Sequence, residues 1–218
     1  MSRPPVNRGG AVPRATAMRL SLYLRRLEIL AAGDQDTVSS RRLGSALGLT
    51  DAQVRKDLAY FGQFGRPGVG YLVRDLIAQI RKILGTDRRW PTAIVGIGNV
   101  GRALVTYGGF KKRGFDVVAL FDSDSRKVGR ACSGIEVYGM DKLPEIARLL
   151  DIKIGIIAVP AHAAQDVAEQ LTRAGVQGIL NFAPVTLAVE DHIALQAVDM
   201  AIHLEQLAFK LSTSGATR

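Results

Sequence analysis

The sequence has only one cysteine, Cys132, and no long apolar run near its start. One cysteine cannot form an intrachain disulfide, so the disulfide-stapled scaffolds of small secreted proteins are excluded. The first residues contain arginines but lack the apolar stretch that a signal peptide or a membrane span requires. We therefore expect a cytoplasmic protein that stays out of the membrane and in which Cys132 is an inert loop residue.

Residues suited to acid-base catalysis are also scarce. The chain has three histidines, His162, His192 and His203, and none stands in a recognisable motif with a partner carboxylate. The sequence places no pair of titratable groups as acid and base, and the nucleotide-binding fold described below leaves no room for a substrate domain. We therefore assign no catalytic residue and no metal ligand.

The charge is unevenly distributed along the 218 residues, which are 47% apolar and long enough for two small domains. Residues 1–90 hold 16 Lys and Arg against 7 Asp and Glu, so the whole net charge of +9 lies there; the remainder has 13 basic and 13 acidic residues. A solvated basic surface would explain this excess. A nucleic-acid-binding domain joined to a neutral ligand-binding domain would explain it as well.

The basic part of the chain predicts a helix-turn-helix. Leucines recur on one face of residues 16–30 at helical spacing, which predicts a first helix. Ser39 or Ser40 can cap a second, short helix that ends at the glycine of the turn. Residues 50–53 form a capping box that opens a third helix over residues 51–61. Two short helices joined by a tight turn are typical of DNA-binding units.

The third helix should present a basic, hydrogen-bonding outer face. Val54, Leu58 and Phe61 recur at i, i+4 and i+7 and are expected to face the core. Arginine and lysine side chains pair with guanine in the major groove, and glutamine pairs with adenine. The outward residues of this helix are Gln53, Arg55, Lys56 and Tyr60.

A glycine-rich segment and a further helix complete this part. Residues 61–71 contain four glycines and one proline, which suits a tight wing whose amides face phosphates. Residues 71–84 are expected to form a connecting helix, and we expect a winged-helix DNA-binding domain over residues 1–85. The residues expected to contact DNA are Ser39, Ser40, Arg41, Gln53, Arg55, Lys56, Tyr60, Arg66 and Tyr71.

From residue 91 onward, apolar strands alternate with helices, which predicts an α/β domain with a parallel sheet covered on both faces. The first strand runs into the turn Gly96, Gly98, Gly101, a G-x-G-x-x-G pattern that opens a helix at Asn99 and Val100. The first glycine permits the bend, the second lets a pyrophosphate approach, and the third lets helix and strand pack closely. We expect a Rossmann-like NAD(H)-binding domain over residues 86–200.

An acidic residue follows at the end of the second strand of this domain. Asp122 lies 26 positions after Gly96 and is expected to accept hydrogen bonds from the adenosine ribose. Its charge would repel a 2′-phosphate, so the site should prefer NAD(H) to NADP(H). Asp124 is the alternative ribose ligand, and a loop aspartate that caps the next helix is the alternative role for Asp122.

Three segments in this order make the chain resemble the Rex family of redox-sensing transcriptional repressors. They are SSRRLGSALGLTDAQVRKDLAYFGQFGRPGVGY at residues 39–71, GIGNVGRALVTYGGF at residues 96–110 and GILNFAP at residues 178–184. The resemblance covers nearly the whole chain from residue 13 to about residue 211. It implies a homodimer on an inverted-repeat DNA operator, released by NADH and left in place by NAD⁺.

The resemblance also implies roles for single residues. Tyr107 stands at the position of the tyrosine that senses the cofactor, and Arg25 and Asp199 stand at the positions of its ion-pair partners. Residues 201–218 correspond to a C-terminal helix and tail that swap onto the partner subunit, and this helix has an apolar stripe that needs a covering surface. The residues expected to bind the cofactor are Gly96, Gly98, Asn99, Val100, Gly101, Tyr107, Asp122, Val159, Pro160, Asn181, Phe182 and Met200.

Charge gives a physical reason for preferring reduced cofactor. The oxidised nicotinamide ring is positively charged and the reduced ring is neutral, so an apolar pocket made by Val159, Pro160, Phe182 and Met200 should disfavour the oxidised form by desolvation. Two other functions stay open from the sequence: an NAD-dependent oxidoreductase with an unrecognised substrate, and a nucleotide-binding module of a larger assembly.

Overall fold

The computed structural model describes residues 13–214, without the side chains of residues 14 and 214. The chain divides after Arg88 into two compact units. The first unit is mainly helical and the second is an α/β sheet domain. None of the helices within the described residues is long and apolar enough to cross a membrane.

From residue 13 onward, the first unit contains four helices and two very short strands. Helices α1 and α4 pack against each other, and α2 packs against α3. Its core is built from the leucines of α1 and from apolar residues of the other helices. The elements are α1 (Arg14–Ala32), β1 (Thr37–Val38), α2 (Ser40–Ser45), α3 (Asp51–Ala59), β2 (Tyr71–Leu72) and α4 (Val73–Leu84).

Local capping sets the ends of the helix pair α2 and α3. The Ser39 hydroxyl accepts the backbone N–H of Arg42 at 3.1 Å, and the Thr50 hydroxyl accepts the N–H of Gln53 at 3.1 Å. A Cβ at Gly44 would lie 2.6 Å from the carbonyl oxygen of Leu49, so a glycine in α2 lets the turn pack against the helix. The expectation that α2 continues to the turn glycine is wrong, because the helix ends at Ser45.

The connection between α3 and α4 is a short wing. Arg66 and Gly70 exchange backbone hydrogen bonds of 2.8 and 3.0 Å around a glycine-rich turn. The chain then enters β2, which pairs antiparallel with β1 in the register Thr37 with Leu72. The expectation of a helix from Tyr71 is therefore wrong, because Tyr71 and Leu72 use their backbone groups in the sheet and α4 starts two residues later.

A buried carboxylate ties α1 to α3. Asp57 of α3 is 1% exposed and accepts four hydrogen bonds. Two come from the guanidinium group of Arg19, at 2.6 and 2.7 Å, one from the hydroxyl of Tyr23 at 2.7 Å and one from the amide of Gln53 at 2.8 Å. Burial alone would raise the pKa of Asp57, but these donors outweigh it and hold the pKa below its usual value.

The second unit is a seven-stranded sheet with helices on both faces. The strands follow the order β5-β6-β4-β3-β7-β8-β9, and every pair is parallel except β5 with β6. The elements are β3 (Trp90–Val95), α5 (Asn99–Thr106), α6 (Gly109–Lys112), β4 (Phe115–Phe121), β5 (Ala131–Cys132), β6 (Ile135–Tyr138), α7 (Leu143–Leu149), β7 (Ile154–Ile157), α8 (Ala161–Arg173), β8 (Gly178–Asn181), β9 (Ala194–Ala197) and α9 (Met200–Ser214).

Alternate residues of the central strands point to opposite faces of this sheet. Val95 and Phe121 belong to the core that includes α7 and α8, whereas Ile94 and Leu120 belong to the core that includes residues of α5 and α6. The connections run in opposite directions on the two sides of β3. The carboxyl ends of β3, β4 and β7 therefore flank the point where parallel sheets form a ligand crevice.

Helix α9 is exposed along its length in the single chain. The described side chains of residues 201–213 are all exposed. Six large apolar side chains on this helix are between 49% and 68% exposed: Met200, Ile202, Leu204, Leu207, Phe209 and Leu211. A patch of this kind on a protein surface marks an interaction site.

We predict that Asp57→Asn destabilises the first unit by about 3 kcal/mol, because the change leaves the Arg19 guanidinium without its charged partner. The new amide group would also point an N–H at groups that are themselves donors. Since the folded pKa of Asp57 lies below that of an unfolded carboxyl group, about 3.9, this stabilisation is present above that pH and is lost as the pH falls through the folded pKa.

Urea unfolding at neutral and acidic pH measures both effects. The matched control is Glu28→Gln, which removes a carboxylate of α1 that pairs with the exposed Arg81 at 3.0 Å. This control should cost less than about 1 kcal/mol, as exposed ion pairs do. Equal losses for the two variants would contradict the role of Asp57.

Candidate functional site

The glycine turn after β3 combines a sharp bend with an open surface. Gly96 has a φ of +93°, and a Cβ there would lie 2.6 Å from the carbonyl oxygen of Ala158. A Cβ at Gly101 would overlap the carbonyl oxygen of Gly96, so α5 packs directly on the turn. At Gly98 nothing lies within 4 Å of such a Cβ, so the backbone is open to a ligand at this position.

The start of α5 offers amide donors at the same place. The helix begins at Asn99, and no side chain caps it. The first N–H groups of a helix lack intrahelical acceptors and carry the positive end of the helix dipole. Asn99 and Val100 are exposed here, whereas Gly101 is buried. The turn and the helix start together form an anion-binding site of the kind that holds a pyrophosphate.

A cleft of about 450 Å³ adjoins the turn. Its volume lies in the range of small-molecule sites. The cleft runs between the ends of β3, β4 and β7 and the first turns of α8. Its walls include Gly96, Gly98, Asp122, Asp124, Lys127, Val159, Pro160 and His162.

Asp122 is at the expected place, at the end of β4, and its carboxylate has three partners within the protein; its contact with a ribose stays a prediction. The residue is 6% exposed, and its Oδ2 accepts the N–H of Ile97 at 2.7 Å and the ammonium group of Lys127 at 2.8 Å. Its Oδ1 accepts the N–H of Asp124 at 2.9 Å. Burial would raise the pKa of Asp122, but the Lys127 ammonium and the two N–H donors hold it below its usual value. The carboxylate therefore holds the glycine turn against the end of β4 by bonds within the protein.

Asp124 stands at the rim of the same cleft. Its carboxylate forms two hydrogen bonds with the Arg126 guanidinium, both at 2.9 Å. Hydrogen bonds from Arg126 lower the pKa of Asp124 to about 2. Because Lys127 and Arg126 neutralise the two carboxylates, this end of the cleft has less net negative charge than the sequence predicts.

The four residues expected to form an apolar nicotinamide pocket do not meet in the single chain. Val159 and Pro160 line the cleft. Phe182 packs with the core that includes residues of α5 and α6, and Met200 is 63% exposed at the start of α9. Val159 and Pro160 are therefore the two members that line the cleft in the single chain, and the four-residue pocket stays a prediction.

The Asn181 side chain is buried and hydrogen-bonded within the turn that follows β8. It is 1% exposed, and its amide group donates to the carbonyl oxygens of Ala183 and Val185 at 3.1 and 2.9 Å. Its Oδ1 accepts the N–H of Ala183 at 2.9 Å. These bonds use the side chain to shape the turn after β8, and a cofactor contact of Asn181 stays a prediction.

Tyr107 ends α5 and is 55% exposed. Its ring meets the edge of Phe110, with ring centroids 5.1 Å apart and planes at 83°. Asp199 accepts the N–H of Ala201 at 2.8 Å at the start of α9. Arg25 is exposed on α1. These three residues belong to two units, and their ion-pair roles stay a prediction.

The helix pair and the wing carry exposed cations. Arg41 and Arg42 lie on α2, Arg55 and Lys56 on α3, and Arg66 on the wing, and all five are exposed. A cleft of about 520 Å³ lies between the start of α2, Arg55 and the wing. These cations lie on three adjacent elements. A protein surface that contacts successive phosphates of a nucleic acid needs cations distributed in this way.

Several expected DNA contacts also have internal partners. Arg55 donates to Asp51 at 2.7 Å and to the Ser40 hydroxyl at 3.1 Å. Ser39 is exposed and caps α2, and Tyr60 is half-buried with its ring 6.4 Å from that of Phe61. Arg55, Lys56 and Ser39 are nevertheless exposed to solvent.

Two of the residues expected to contact DNA, Gln53 and Tyr71, are partly or fully buried within the first unit, and their contacts with DNA stay predictions. Gln53 is half-buried, and its side-chain amide donates to Asp57, which holds the side chain against α3. The capping box is therefore half formed, because Thr50 accepts the N–H of Gln53 whereas the Gln53 side chain bonds to Asp57 instead of Thr50. Tyr71 is 7% exposed and belongs to the core of the first unit, because β2 turns its ring inward. Gln53 is thus hydrogen-bonded within α3, and Tyr71 is mostly buried on β2 although it also lines the cleft beside the wing.

Sequence reasoning missed two residues that organise these sites. Asp57 had a readable signal, because it follows Val54 by three positions and so lies on the buried stripe of α3. Lys127 follows Asp122 by five positions in a loop, where no periodic pattern indicates an ion pair. Within residues 13–214, no group of three or more His, Cys, Asp or Glu side chains could hold a metal ion.

Two family models match the chain. Residues 11–59 match the model of a putative DNA-binding protein N-terminus, and residues 87–185 match the model of a CoA binding domain. The first match covers the helix pair through α3, and the second covers the glycine turn and the cleft. Both matches agree with the division of the chain into two units.

Solved structures of a repressor called RSP match the chain over both units. RSP in complex with beta-NAD⁺ and operator DNA is 36% identical with a TM-score of 0.90, covering 95% of this chain and 96% of RSP. RSP in complex with beta-NADH is 35% identical with a TM-score of 0.86, covering 95% and 98%. RSP is itself described as a Rex-family repressor.

Curated relatives match over nearly their full length. The redox-sensing transcriptional repressor Rex of Pelotomaculum thermopropionicum is 50% identical over 92% of this chain and 94% of its own. Rex of Carboxydothermus hydrogenoformans is 50% identical over 94% and 98%, and Rex of Streptomyces coelicolor is 47% identical over 94% and 80%. This chain therefore belongs to the Rex family of redox-sensing transcriptional repressors.

Proposed function

We propose that this protein represses transcription by binding operator DNA through its first unit and releases the DNA when NADH occupies the cleft of its second unit. The observation that carries the proposal is the open backbone at Gly98 beside the uncapped start of α5, in a chain that also has a helix pair with exposed cations. The relative RSP, crystallised with NAD⁺ and operator DNA and with NADH, supports both ligands.

DNA binding is assigned to α3, α2 and the wing. Lys56 and Arg55 on α3 supply donors for guanine or phosphate, and Arg41, Arg42 and Arg66 supply further phosphate contacts. Because Gln53 is held by Asp57, we assign it to the support of α3 and not to adenine recognition. Chromosomal DNA and the NADH pool share the cytoplasm, and we place the protein there.

Cofactor binding is assigned to the cleft. The pyrophosphate would lie at Gly98 and the start of α5, and the adenosine would lie toward Asp122 and Asp124. Val159 and Pro160 supply an apolar wall on the other side of the turn, where loss of hydration penalises the charged oxidised ring more than the neutral reduced ring. NADH would then bind more tightly than NAD⁺.

A homodimer is proposed from two exposed apolar surfaces. Helix α9 exposes its apolar side chains, and α1 exposes Met18, Leu22 and Ile29, which lie on one face and are 65%, 43% and 62% exposed. A second copy of the chain, with α9 exchanged between subunits, would cover such surfaces. Two recognition helices related by a two-fold axis would read an inverted repeat, with half-sites about 34 to 36 Å apart.

Communication between the units is assigned to Tyr107, Arg25 and Asp199. For NADH to release DNA, it must bind one arrangement of the dimer more tightly than the other. Tyr107 is exposed at the end of α5 that lies away from the glycine turn, and Arg25 is exposed on α1, the helix whose Arg19 and Tyr23 donate to Asp57 of α3. A change at Tyr107 that reaches Arg25 would be passed to α3 through α1.

We propose that this protein does not catalyse a reaction with NADH. His162 lies at the cleft and would be the acid-base candidate of an oxidoreductase. Within the described residues, no hydrogen bond joins His162 to a carboxylate of this cleft, and the relatives are named as repressors. Hydride transfer from NADH to an added carbonyl compound, followed at 340 nm, would instead favour the enzyme.

The main test is a DNA-shift titration with inverted repeats from the organism's own promoters, at one fixed salt concentration. We predict that NADH raises the apparent dissociation constant for DNA by about tenfold, which corresponds to a coupling of about 1.4 kcal/mol. NAD⁺ at the same concentration should leave the complex in place. An equal response to both cofactors would contradict redox sensing.

Two lysine variants provide the matched control for this titration. Lys56→Ala should weaken DNA binding and lower the slope of log affinity against log salt by about 1, because one phosphate contact is lost. Lys82→Ala removes the same charge near the end of α4 and should leave both quantities unchanged. Equal effects of the two variants would show that only net charge matters.

We predict that Asp122→Asn weakens NADH binding by about tenfold, because a charge-assisted bond of the kind lost here contributes about 1.5 kcal/mol or more. The change unfastens the glycine turn, since it weakens the bonds to Ile97 and Lys127. Calorimetric titration of NADH measures the effect. Asp124→Asn is the control, and a larger loss in that variant would transfer the principal role at the adenosine end to Asp124.

We predict that Tyr107→Phe binds DNA like the wild type without cofactor but needs more NADH for release. The ring keeps its packing while the hydroxyl that would signal to Arg25 and Asp199 is lost. DNA-shift titration at rising NADH concentration measures this, with calorimetric NADH affinity as the control. Unchanged release at the wild-type NADH concentration would refute the sensing role.

A further inference from the structure

The Tyr107 ring occupies a position that exists only because residue 109 is glycine. A Cβ added at Gly109 would overlap the Cζ, the Cε1 and the hydroxyl oxygen of Tyr107. The ring thus lies directly over the backbone at the start of α6 and presents its face or edge to Phe110, 5.1 Å away between centroids. Gly109 and Phe110 together form a platform for the Tyr107 ring.

Of the two adjacent glycines, only Gly109 lies against the Tyr107 ring. Gly108 has φ −60° and ψ −10°, which any residue adopts, and nothing lies within 4 Å of a Cβ built there. Gly109 is the first residue of α6 and does not have a positive φ, so its backbone also accepts a side chain. The backbone conformation therefore does not require glycine at residue 109, whereas the position of the tyrosine ring does.

The Tyr107 ring lies outside the lining of the described cleft. More than half of the surface of Tyr107 faces solvent. The atoms that a Cβ at Gly109 would meet are at the far end of a side chain that rotates about two bonds. A methyl group at residue 109 would therefore move the ring without disturbing the fold.

We propose that Gly109 and Phe110 are positioning residues for redox sensing, which give the Tyr107 ring one of the two positions between which it moves. The inference rests on the proposed function, in which Tyr107 reports the cofactor. A sensor needs two positions to distinguish two states. Removing the platform leaves the ring with one position, so the DNA affinity depends less on NADH.

The test uses the full-length protein and compares Gly109→Ala with the matched control Gly108→Ala. The quantity measured is the ratio of the DNA dissociation constants with and without saturating NADH. We expect Gly108→Ala to keep the wild-type ratio and Gly109→Ala to lower it at least threefold. A ratio for Gly109→Ala within threefold of the wild type would overturn the inference.

Two further measurements separate ring position from general damage. Phe110→Leu keeps an apolar side chain but removes the aromatic edge, and it should lower the ratio in the same direction. In nuclear magnetic resonance spectra, contacts between the Tyr107 and Phe110 rings should persist in Gly108→Ala and vanish in Gly109→Ala; their persistence in Gly109→Ala would overturn the inference. If NADH did not release the wild-type protein from DNA, the proposed function would be overturned. The contacts between the Tyr107 and Phe110 rings test the platform independently of DNA release.

Discussion

The contact between Gly101 of α5 and the carbonyl oxygen of Gly96 determines where the second unit can bind an anion. This contact brings the start of α5 against the end of the central strand β3. The uncapped amides of the helix therefore lie next to the open backbone at Gly98. Asp122 then bonds to Ile97 inside this turn and carries the constraint to β4. A side chain at Gly101 would separate the helix from the turn, and the cleft would lose its floor.

Asp57 has the corresponding role in the first unit. A buried charge is expensive, and an apolar side chain of similar volume would often stabilise a protein as well or better. Here the carboxylate collects donors from two residues of α1 and one of α3, so it defines the angle between these helices as well as their packing. Both units therefore use a buried aspartate to fasten a binding element to its support.

The sequence predicted the elements that have repeating or capping patterns and missed those that depend on distant neighbours. Ser39 and Thr50 cap their helices as expected, because a cap is decided by residues three positions apart. Strands β1 and β2 have two residues each, which is too short for alternation to be visible, so Tyr71 was placed on the helix that follows. Asn181 was expected to bind the cofactor because the residues around it resemble the family, but its hydrogen bonds to Ala183 and Val185 are seen only when the turn is folded.

The charges of the two units respond differently to the ionic strength of the cell. The cations of α2, α3 and the wing face solvent, so potassium competes for the phosphates that they would bind. In the cleft, Asp122 is paired with Lys127 and Asp124 with Arg126, so the local charge is already balanced within the protein. A rise in salt concentration would therefore weaken phosphate contacts of the exposed cations more than it would disturb the buried Asp122–Lys127 pair.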